Sequence, residues 1–170
     1  MSRLSRCVWI LVFLLAAASA QDPAQNVPKL SGFTYWPAAK LKSYPSVLKA
    51  KEPTVRGATK TMMAAERLGD HGGYSFMEER RDVDGVPEIH AHLDDIFIVQ
   101  DGEATLLYGG RIEGGEELRP GETRGGRIVG GTMQKVAAGD MAVIPAGMPH
   151  QTIVSKGKSY TFMVIKIEKK

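Results

Sequence analysis

The chain has 170 residues, of which 43% are hydrophobic, and its 22 basic and 19 acidic residues give a net charge of +3. This length suits one domain with a substantial core. So small a net charge gives no reason to expect nucleic acid as a partner.

Residues 1–20 have the three-part pattern of a secretory signal peptide. Arg3 and Arg6 precede an apolar run, and small residues lead up to Ala20, where a signal peptidase would cleave. The run is shorter than the ~20 residues that span a bilayer. We therefore expect cleavage after Ala20 and export to the periplasm or the extracellular space, without membrane attachment; an uncleaved anchor is the alternative. The exported chain keeps 20 of the 22 basic residues against all 19 acidic ones, a net charge of +1.

The exported chain also loses Cys7, the only cysteine. A disulfide within it is therefore excluded, and a bound metal ion would have to be held by nitrogen and oxygen atoms.

Residues 21–53 are interpreted as a lead-in to a main domain at residues 54–170. The sequence WPAAKLKSYPSVLKAK, which begins at Trp36, predicts one or two short helices. Pro37 suits a first helical turn, and Pro45 is expected to end or kink the helix. These pieces are expected to cover one end or face of the main domain.

The main domain begins with two predicted strands, residues 54–68 and 73–81, around a glycine-rich turn that contains His71. A histidine in such a turn is interpreted as solvated. An alternating run at residues 160–167 predicts the last strand. The whole pattern predicts eight to ten strands and few helices, which is typical of an antiparallel sandwich or barrel.

Most of the candidate metal-binding residues lie within residues 85–102, GVPEIHAHLDDIFIVQDG. His90 and His92 are two apart in a predicted strand, so both imidazoles would project from one face. Asp95 follows and begins a second apolar run. Its carboxylate is the candidate partner of the two imidazoles, and the carboxylate of Asp94 is the alternative. The Gln-Asp-Gly-Glu sequence after this run predicts a tight hairpin.

A second segment, GDMAVIPAGMPHQ, supplies a third histidine. Pro145 and Gly147 predict a bend in an apolar stretch, and His150 follows at the start of the next strand. Three histidines and one aspartate on neighbouring strands predict a metal cage.

These two segments resemble the two motifs of the cupins, small β-barrels of jelly-roll type. The first motif, G-x5-H-x-H-x3 or 4-E-x6-G, is approached by Gly85, His90, His92, Asp95 and Gly102. Four residues instead of five precede His90, two residues separate His92 from the acid, and the acid is Asp. The second motif, G-x5-P-x-G-x2-H-x3-N, is matched by Gly139, Pro145, Gly147 and His150, with Val154 in place of Asn. Two motifs in the right order are more specific than either alone.

The resemblance implies an all-β, cupin-like jelly-roll barrel, here with one or two short N-terminal helices. It also implies one divalent transition-metal ion held by His90, His92, Asp95 and His150. Imidazole nitrogen with a carboxylate suits Fe, Mn, Ni, Cu or Zn. Pairing through edge strands into a homodimer is a further expectation from the family.

Two function classes follow. The first is an exported metal-dependent enzyme acting on a small oxygenated organic molecule, with a dioxygenase favoured and a metal-assisted lyase or isomerase as a variant. The second is a non-catalytic cupin that binds a small ligand or sugar. Proton transfer in a lyase or isomerase would need a group such as Tyr74, Tyr108, Tyr160 or Glu88.

Three further residues are predicted to contact the substrate. Phe97 and Val154 would add apolar lining beside the metal. Residues 109–131 carry repeated Gly-Gly pairs and are interpreted as a long loop, which forms a lid, a surface hairpin or a contact to a second subunit. Arg127, together with Arg124, is the candidate in this segment for meeting an anionic substrate.

Overall fold

The structure of the protein is a computed structural model that describes residues 28–51, 54–56 and 61–170. The predicted signal peptide, residues 1–20, lies outside the described residues, as does part of the lead-in. Among the residues described, no helix is both long and apolar enough to cross a membrane.

One helix lies in the predicted N-terminal region. Helix α1 spans Ala38–Lys49, begins directly after Pro37 and continues through Pro45 as a single helix. Its Tyr44 and Leu48 are buried against the outer face of the sheet, together with Met163. The expectation that the helix covers a face of the main domain is therefore confirmed.

The described residues form thirteen strands, more than the eight to ten expected. They are β1 (Thr54–Arg56), β2 (Thr61–Asp70), β3 (Tyr74–Arg81), β4 (Glu88–His90), β5 (Leu93–Tyr108), β6 (Arg111–Glu113), β7 (Glu116–Arg119), β8 (Glu122–Arg124), β9 (Arg127–Val129), β10 (Thr132–Ala137), β11 (Met141–Ile144), β12 (His150–Ile153) and β13 (Tyr160–Glu168).

Eleven of these strands form one curled antiparallel sheet. Its main path runs β1-β2-β3-β13-β5-β12-β4-β8-β7, and β10 and β11 pair with β5 beside that path. Strands β6 and β9 form a separate two-stranded ribbon. The architecture is a jelly-roll barrel with one short helix, so the all-β prediction is confirmed.

The long strand β5 joins the two halves of the barrel. Its first part pairs with β11 and β13, and its last part with β10 and β12. The prediction of a hairpin near Gly102 is wrong, because β5 bends at this residue and continues. Gly102 has φ +76°, and a side chain at this position would run into the carbonyl oxygen of Ser159. The glycine permits a bend with close backbone contact.

Alternation along the strands places two polar residues inside the barrel. Phe97 of β5 belongs to the interior core, and so do Phe162 and Val164 of β13. Because strand side chains alternate between faces, Asp95 and Lys166 project to the same interior side. The apolar core of the barrel thus ends in a polar layer.

The glycine-rich segment, residues 109–131, is folded rather than an irregular loop. It contains β6 to β9, and β8 pairs with β4. Strands β7 and β8 form a short hairpin, β6 pairs with β9 outside it, and glycines at the turns permit both pairings. The β7–β8 hairpin extends the sheet beside the polar layer.

Candidate metal centre

Two buried histidines and two carboxylates meet at the polar end of the barrel interior. Glu88 and His90 share one face of β4, and Glu88 is the cross-strand partner of His150. Ligand atoms of Glu88, His90 and His150 all lie within 4.8 Å of one another. Asp95 Oδ2 lies 3.4 Å from His90 Nε2 and 3.6 Å from His150 Nε2. Four nitrogen and oxygen donors therefore converge on one small volume.

Both imidazoles are held through their Nδ1 atoms. His90 Nδ1 is 2.5 Å from Glu122 Oε2, and His150 Nδ1 is 3.0 Å from the carbonyl oxygen of Met148. A carbonyl can only accept, so Nδ1 of His150 carries the proton, and Nε2 offers a lone pair in the neutral ring. Carboxylate or carbonyl partners of this kind orient metal-binding histidines.

The Nε2 atom of His150 is an orphaned buried polar atom. Its side chain is 3% exposed, and within the described part of the chain no hydrogen-bond partner reaches Nε2. Oxygens of Glu88 and Asp95 face it at 3.5 and 3.6 Å. A lone pair aimed at two carboxylates is unfavourable unless Nε2 takes up a proton or a cation lies between the three groups. The arrangement fits a metal ion.

Two basic side chains complete the cluster, and both stand opposite a carboxylate across the sheet. Lys166 Nζ lies 2.8 and 2.7 Å from the two oxygens of Asp95 and 2.9 Å from His90 Nε2. Arg124 Nη2 lies 2.6 Å from Glu88 Oε2. Strand register makes both contacts, since Lys166 pairs with Asp95 and Arg124 with Glu88.

The carboxylates set the charge state of this cluster. Burial lowers the pKa of His90, but hydrogen bonding to Asp95 and Glu122 outweighs burial and raises the pKa to about 9. Burial raises the pKa of Asp95, but His90 and Lys166 hold it below its usual range. Two N–H donors cannot bond each other, so His90 accepts from Lys166 only in its neutral form. The carboxylates thus create a site that attracts positive charge.

His92 lies outside the cluster, which corrects the sequence-based cage. Strand β4 ends at His90, and Ala91 and His92 form an exposed turn. The backbone fixes this end, because Ala91 N–H donates to Gly121 O and Gly147 N–H donates to His90 O. The two histidines therefore do not share a strand face, and Glu88 takes the place expected for His92.

The structural register fits the cupin motif better than the sequence-based one. With Glu88 and His90 at the two histidine positions, four residues precede Asp95 and six more precede Gly102. Both spacings agree with H-x-H-x3 or 4-E-x6-G. The departures are then Glu for the first His, Asp for Glu, and Asp82 where the leading Gly would stand.

The other residues predicted in the barrel are Asp94, Phe97 and Val154, and they take different places. Of the two aspartates, Asp95 reaches the cluster, whereas Asp94 Oδ1 accepts a 2.6 Å backbone hydrogen bond from the bend before His150. The Phe97 ring centre lies 6.2 Å from that of His150. Val154 is buried in the interior core.

Arg127 is placed away from the cluster. It lies on the β6–β9 ribbon, where its Nη2 is 2.7 Å from Glu113 Oε2, and its side chain is 76% exposed. Arg124, from the same segment, reaches Glu88 instead. Strand β8 is responsible, because its pairing with β4 turns Arg124 toward the site.

A cavity of about 440 Å³ leads to the cluster from solvent. Its lining combines four basic side chains, acidic groups and apolar surface, and includes Arg67, Arg119, Arg124, Lys166, His90, Glu122, Glu168, Tyr74, Phe76 and Leu118. A second, inner cavity of about 30 Å³ lies among Glu88, Asp95, Phe97 and core residues. Four side chains, those of Met77, Arg124, Val164 and Lys166, line both cavities.

Comparison with known proteins supports the fold. No protein-family model matches the sequence, and neither does any curated protein. The solved structure of BH2720 from Bacillus halodurans is 16% identical, with 85% of this chain and 88% of that chain covered and a TM-score of 0.55. A cupin 2 conserved barrel domain protein from Rhodopseudomonas palustris is 19% identical over 68% and 69% of the chains, with a TM-score of 0.49.

A conserved protein with a double-stranded β-helix domain from Klebsiella pneumoniae is 16% identical over 67% and 83% of the chains, with a TM-score of 0.48. Identities this low bear on fold alone. Together with the sheet topology, the match to BH2720 supports a jelly-roll barrel fold for this chain. Within that fold, Glu88, His90 and His150 form a group that could hold a metal ion.

Proposed function

We propose that the protein is a metal-dependent cupin enzyme that acts on a small oxygenated organic molecule, with Fe(II)-type dioxygenase chemistry favoured. One observation carries the proposal: two imidazoles and a carboxylate of Glu88, His90 and His150 converge within 4.8 Å. Two histidines and one carboxylate with open positions are typical of non-haem Fe(II) oxygenases. A bound ion of this kind supplies Lewis-acid and oxygen chemistry.

The protein residues around the ion would hold it and position the substrate. His90 and His150 would bind through Nε2, with Glu122 and the Met148 carbonyl fixing their orientation. Asp95 would supply a fourth ligand. Basic groups in the cavity lining, Arg124 among them, would attract an anionic oxygen of the substrate.

The cavity also limits the substrate to a small molecule. Its volume of about 440 Å³ falls in the range of pockets that enclose small ligands. Tyr74 and Phe76 would contact an apolar or aromatic part of such a molecule. A metal-assisted lyase or isomerase would use the same cavity.

One observation favours a non-catalytic alternative, a cupin that binds a small ligand without metal. The Lys166 ammonium lies 2.7 Å from Asp95 and 2.9 Å from His90, so it neutralises part of the cluster by itself. In this alternative Lys166 and Arg124 would bind the ligand directly.

Export of the protein is part of the proposal and is supported by the signal-peptide pattern of residues 1–20. Export would restrict the substrate to molecules met outside the cytoplasm, such as aromatic, sugar or plant-derived compounds. It also makes nucleotide cofactors an unattractive choice.

The first test is the metal content of the protein purified from its exported compartment, measured by mass spectrometry. We expect near one equivalent of a first-row ion in the wild type, and its loss in the His90→Ala/His150→Ala double variant. His92→Ala is the matched control and should retain the metal. Loss of metal in His92→Ala would restore the sequence-based cage, and absence of metal after anaerobic reconstitution with Fe(II) would favour the binding protein.

Oxygen uptake then separates the enzyme from a metal-binding protein without turnover. The iron-loaded wild type should consume oxygen with phenolic or diketone compounds, whereas the double variant should not. Turnover of a hydroxy-carbonyl compound without oxygen uptake would favour the lyase or isomerase.

A further inference from the structure

Lys166 occupies the atoms that a metal ion would need. Its Nζ lies 2.8 and 2.7 Å from the two oxygens of Asp95 and 2.9 Å from His90 Nε2. When His90 is neutral, these atoms belong to two of the four proposed ligands of the metal centre, and Glu88 and His150 are the other two. An ammonium and a metal ion cannot use the same lone pairs together, and two cations at such distances repel each other strongly.

The register of β13 places Lys166 in the barrel interior beside Asp95, not on the protein surface. Lys166 follows Phe162 and Val164 on the interior face of β13, and it pairs directly with Asp95. Asp95 is 1% exposed, so its charge needs a partner in the absence of a metal ion. Lys166 is that partner.

The outer cavity gives the Lys166 side chain space to move into. Its side chain is 22% exposed and lines the outer cavity of about 440 Å³. Glu168 lies two residues further along β13 and lines the same cavity, so it could accept the released ammonium. A lysine has a flexible four-carbon stem and can change its position without a change in the backbone.

We propose that Lys166 is an internal competitor of the metal ion: it holds Asp95 and His90 in the metal-free protein, and metal uptake displaces it into the outer cavity. This inference rests on the proposed metal centre. Lys166 lines both the outer and the inner cavity, so its displacement would change the lining of each. Metal uptake would thus change the shape and charge of the cavity that a substrate enters.

Titration calorimetry with Co(II) alone tests the competition. Lys166→Met should bind Co(II) about 10- to 100-fold more tightly than the wild type, because one charge-assisted interaction no longer has to be broken. Lys169→Met is the matched control. Lys169 lies just after β13, 3.5 Å from Asp94, and its substitution should leave the Co(II) affinity unchanged. If Lys166→Met does not fold, Lys166→Gln should show a smaller gain in the same direction.

A second readout follows the lysine itself. Acetylation by a water-soluble reagent, located by mass spectrometry, should increase at Lys166 when the wild type binds Co(II), with no change at Lys169.

The outcomes separate this inference from the proposed metal centre. Binding by Lys166→Met but not by the wild type would support the competition while removing the metal-dependent function. Equal or weaker binding by Lys166→Met, beside a wild type that binds, would overturn the competition and leave the metal centre standing. No binding by either protein would overturn both.

Discussion

Glu78 should make the stability of the fold depend on pH. Its side chain is 0% exposed, Oε1 accepts a 2.9 Å hydrogen bond from Gln100, and Oε2 has no hydrogen-bond partner among the described residues. Burial raises the pKa of this carboxyl from 4.5 to about 7. In the unfolded chain the pKa returns to about 4.3.

Proton binding decides whether the free energy of unfolding rises or falls with pH. Between these two pKa values the folded protein holds a proton that the unfolded chain releases, so the stabilising contribution is present below pH 4.5 and is lost as the pH rises through 7. A pKa difference of about 2.5 at 1.36 kcal/mol each corresponds to about 3 kcal/mol. Glu78→Gln, which remains neutral, should remove this dependence.

Urea unfolding of wild type and Glu78→Gln between pH 5 and 8, in the presence of a chelator, measures the effect. The free energy of unfolding should fall more steeply with pH in the wild type than in the variant. Glu103→Gln alters a largely exposed carboxylate and should follow the wild type. Parallel curves for wild type and Glu78→Gln would refute the reasoning.

Four further predictions concern the site, the barrel bend, the N-terminus and the oligomeric state. Glu122→Gln should weaken Co(II) binding about 10- to 100-fold in calorimetry, since Glu122 orients His90, while Glu116→Gln on the neighbouring strand should not; equal affinities would exclude the orienting role. Gly102→Ala should lower the free energy of unfolding by more than Gly157→Ala. The backbone φ angles of the two glycines are nearly equal, +76° at Gly102 and +77° at Gly157, but only Gly102 packs against Ser159. Equal losses of stability would mean that the bend tolerates a side chain. N-terminal sequencing of exported protein should begin at Gln21, and a start at Met1 would indicate an uncleaved anchor. The homodimer expected from the family is tested by sedimentation at micromolar concentration, where a monomer would end that expectation.

Much of the barrel and three of the four residues in the cluster could be predicted from sequence. The Pro145 and Gly147 bend fixes where His150 enters its strand, and such local signals depend on few neighbours. The resemblance to the motif predicts His90 and Asp95, because the spacing in the motif reflects the geometry of the strands. Alternation also predicted that Phe97 lies beside the site.

What could not be predicted depends on contacts between distant segments. The end of β4 at His90 is set by backbone bonds to Gly121 and Gly147, and no local pattern marks it. Glu122 and Lys166 reach the cluster only through the register of β8 and β13. The four-residue and six-residue spacings on either side of Asp95 were the available signal for Glu88, and they favour the structural register.

The strands that carry the proposed ligands differ in how firmly they are built into the sheet. Asp95 lies on β5, which is paired on both sides over much of its length, whereas Glu88 and His90 lie on the three-residue β4 near the edge formed by β8 and β7. Only one residue pair, His150 with Glu88, joins β4 to β12. Local opening of this edge would separate two of the proposed ligands from the other two without unfolding the core. Release of a bound ion and amide hydrogen exchange in β4 would then share one opening motion, so the ion's residence time would be set by how often the edge of the sheet frays.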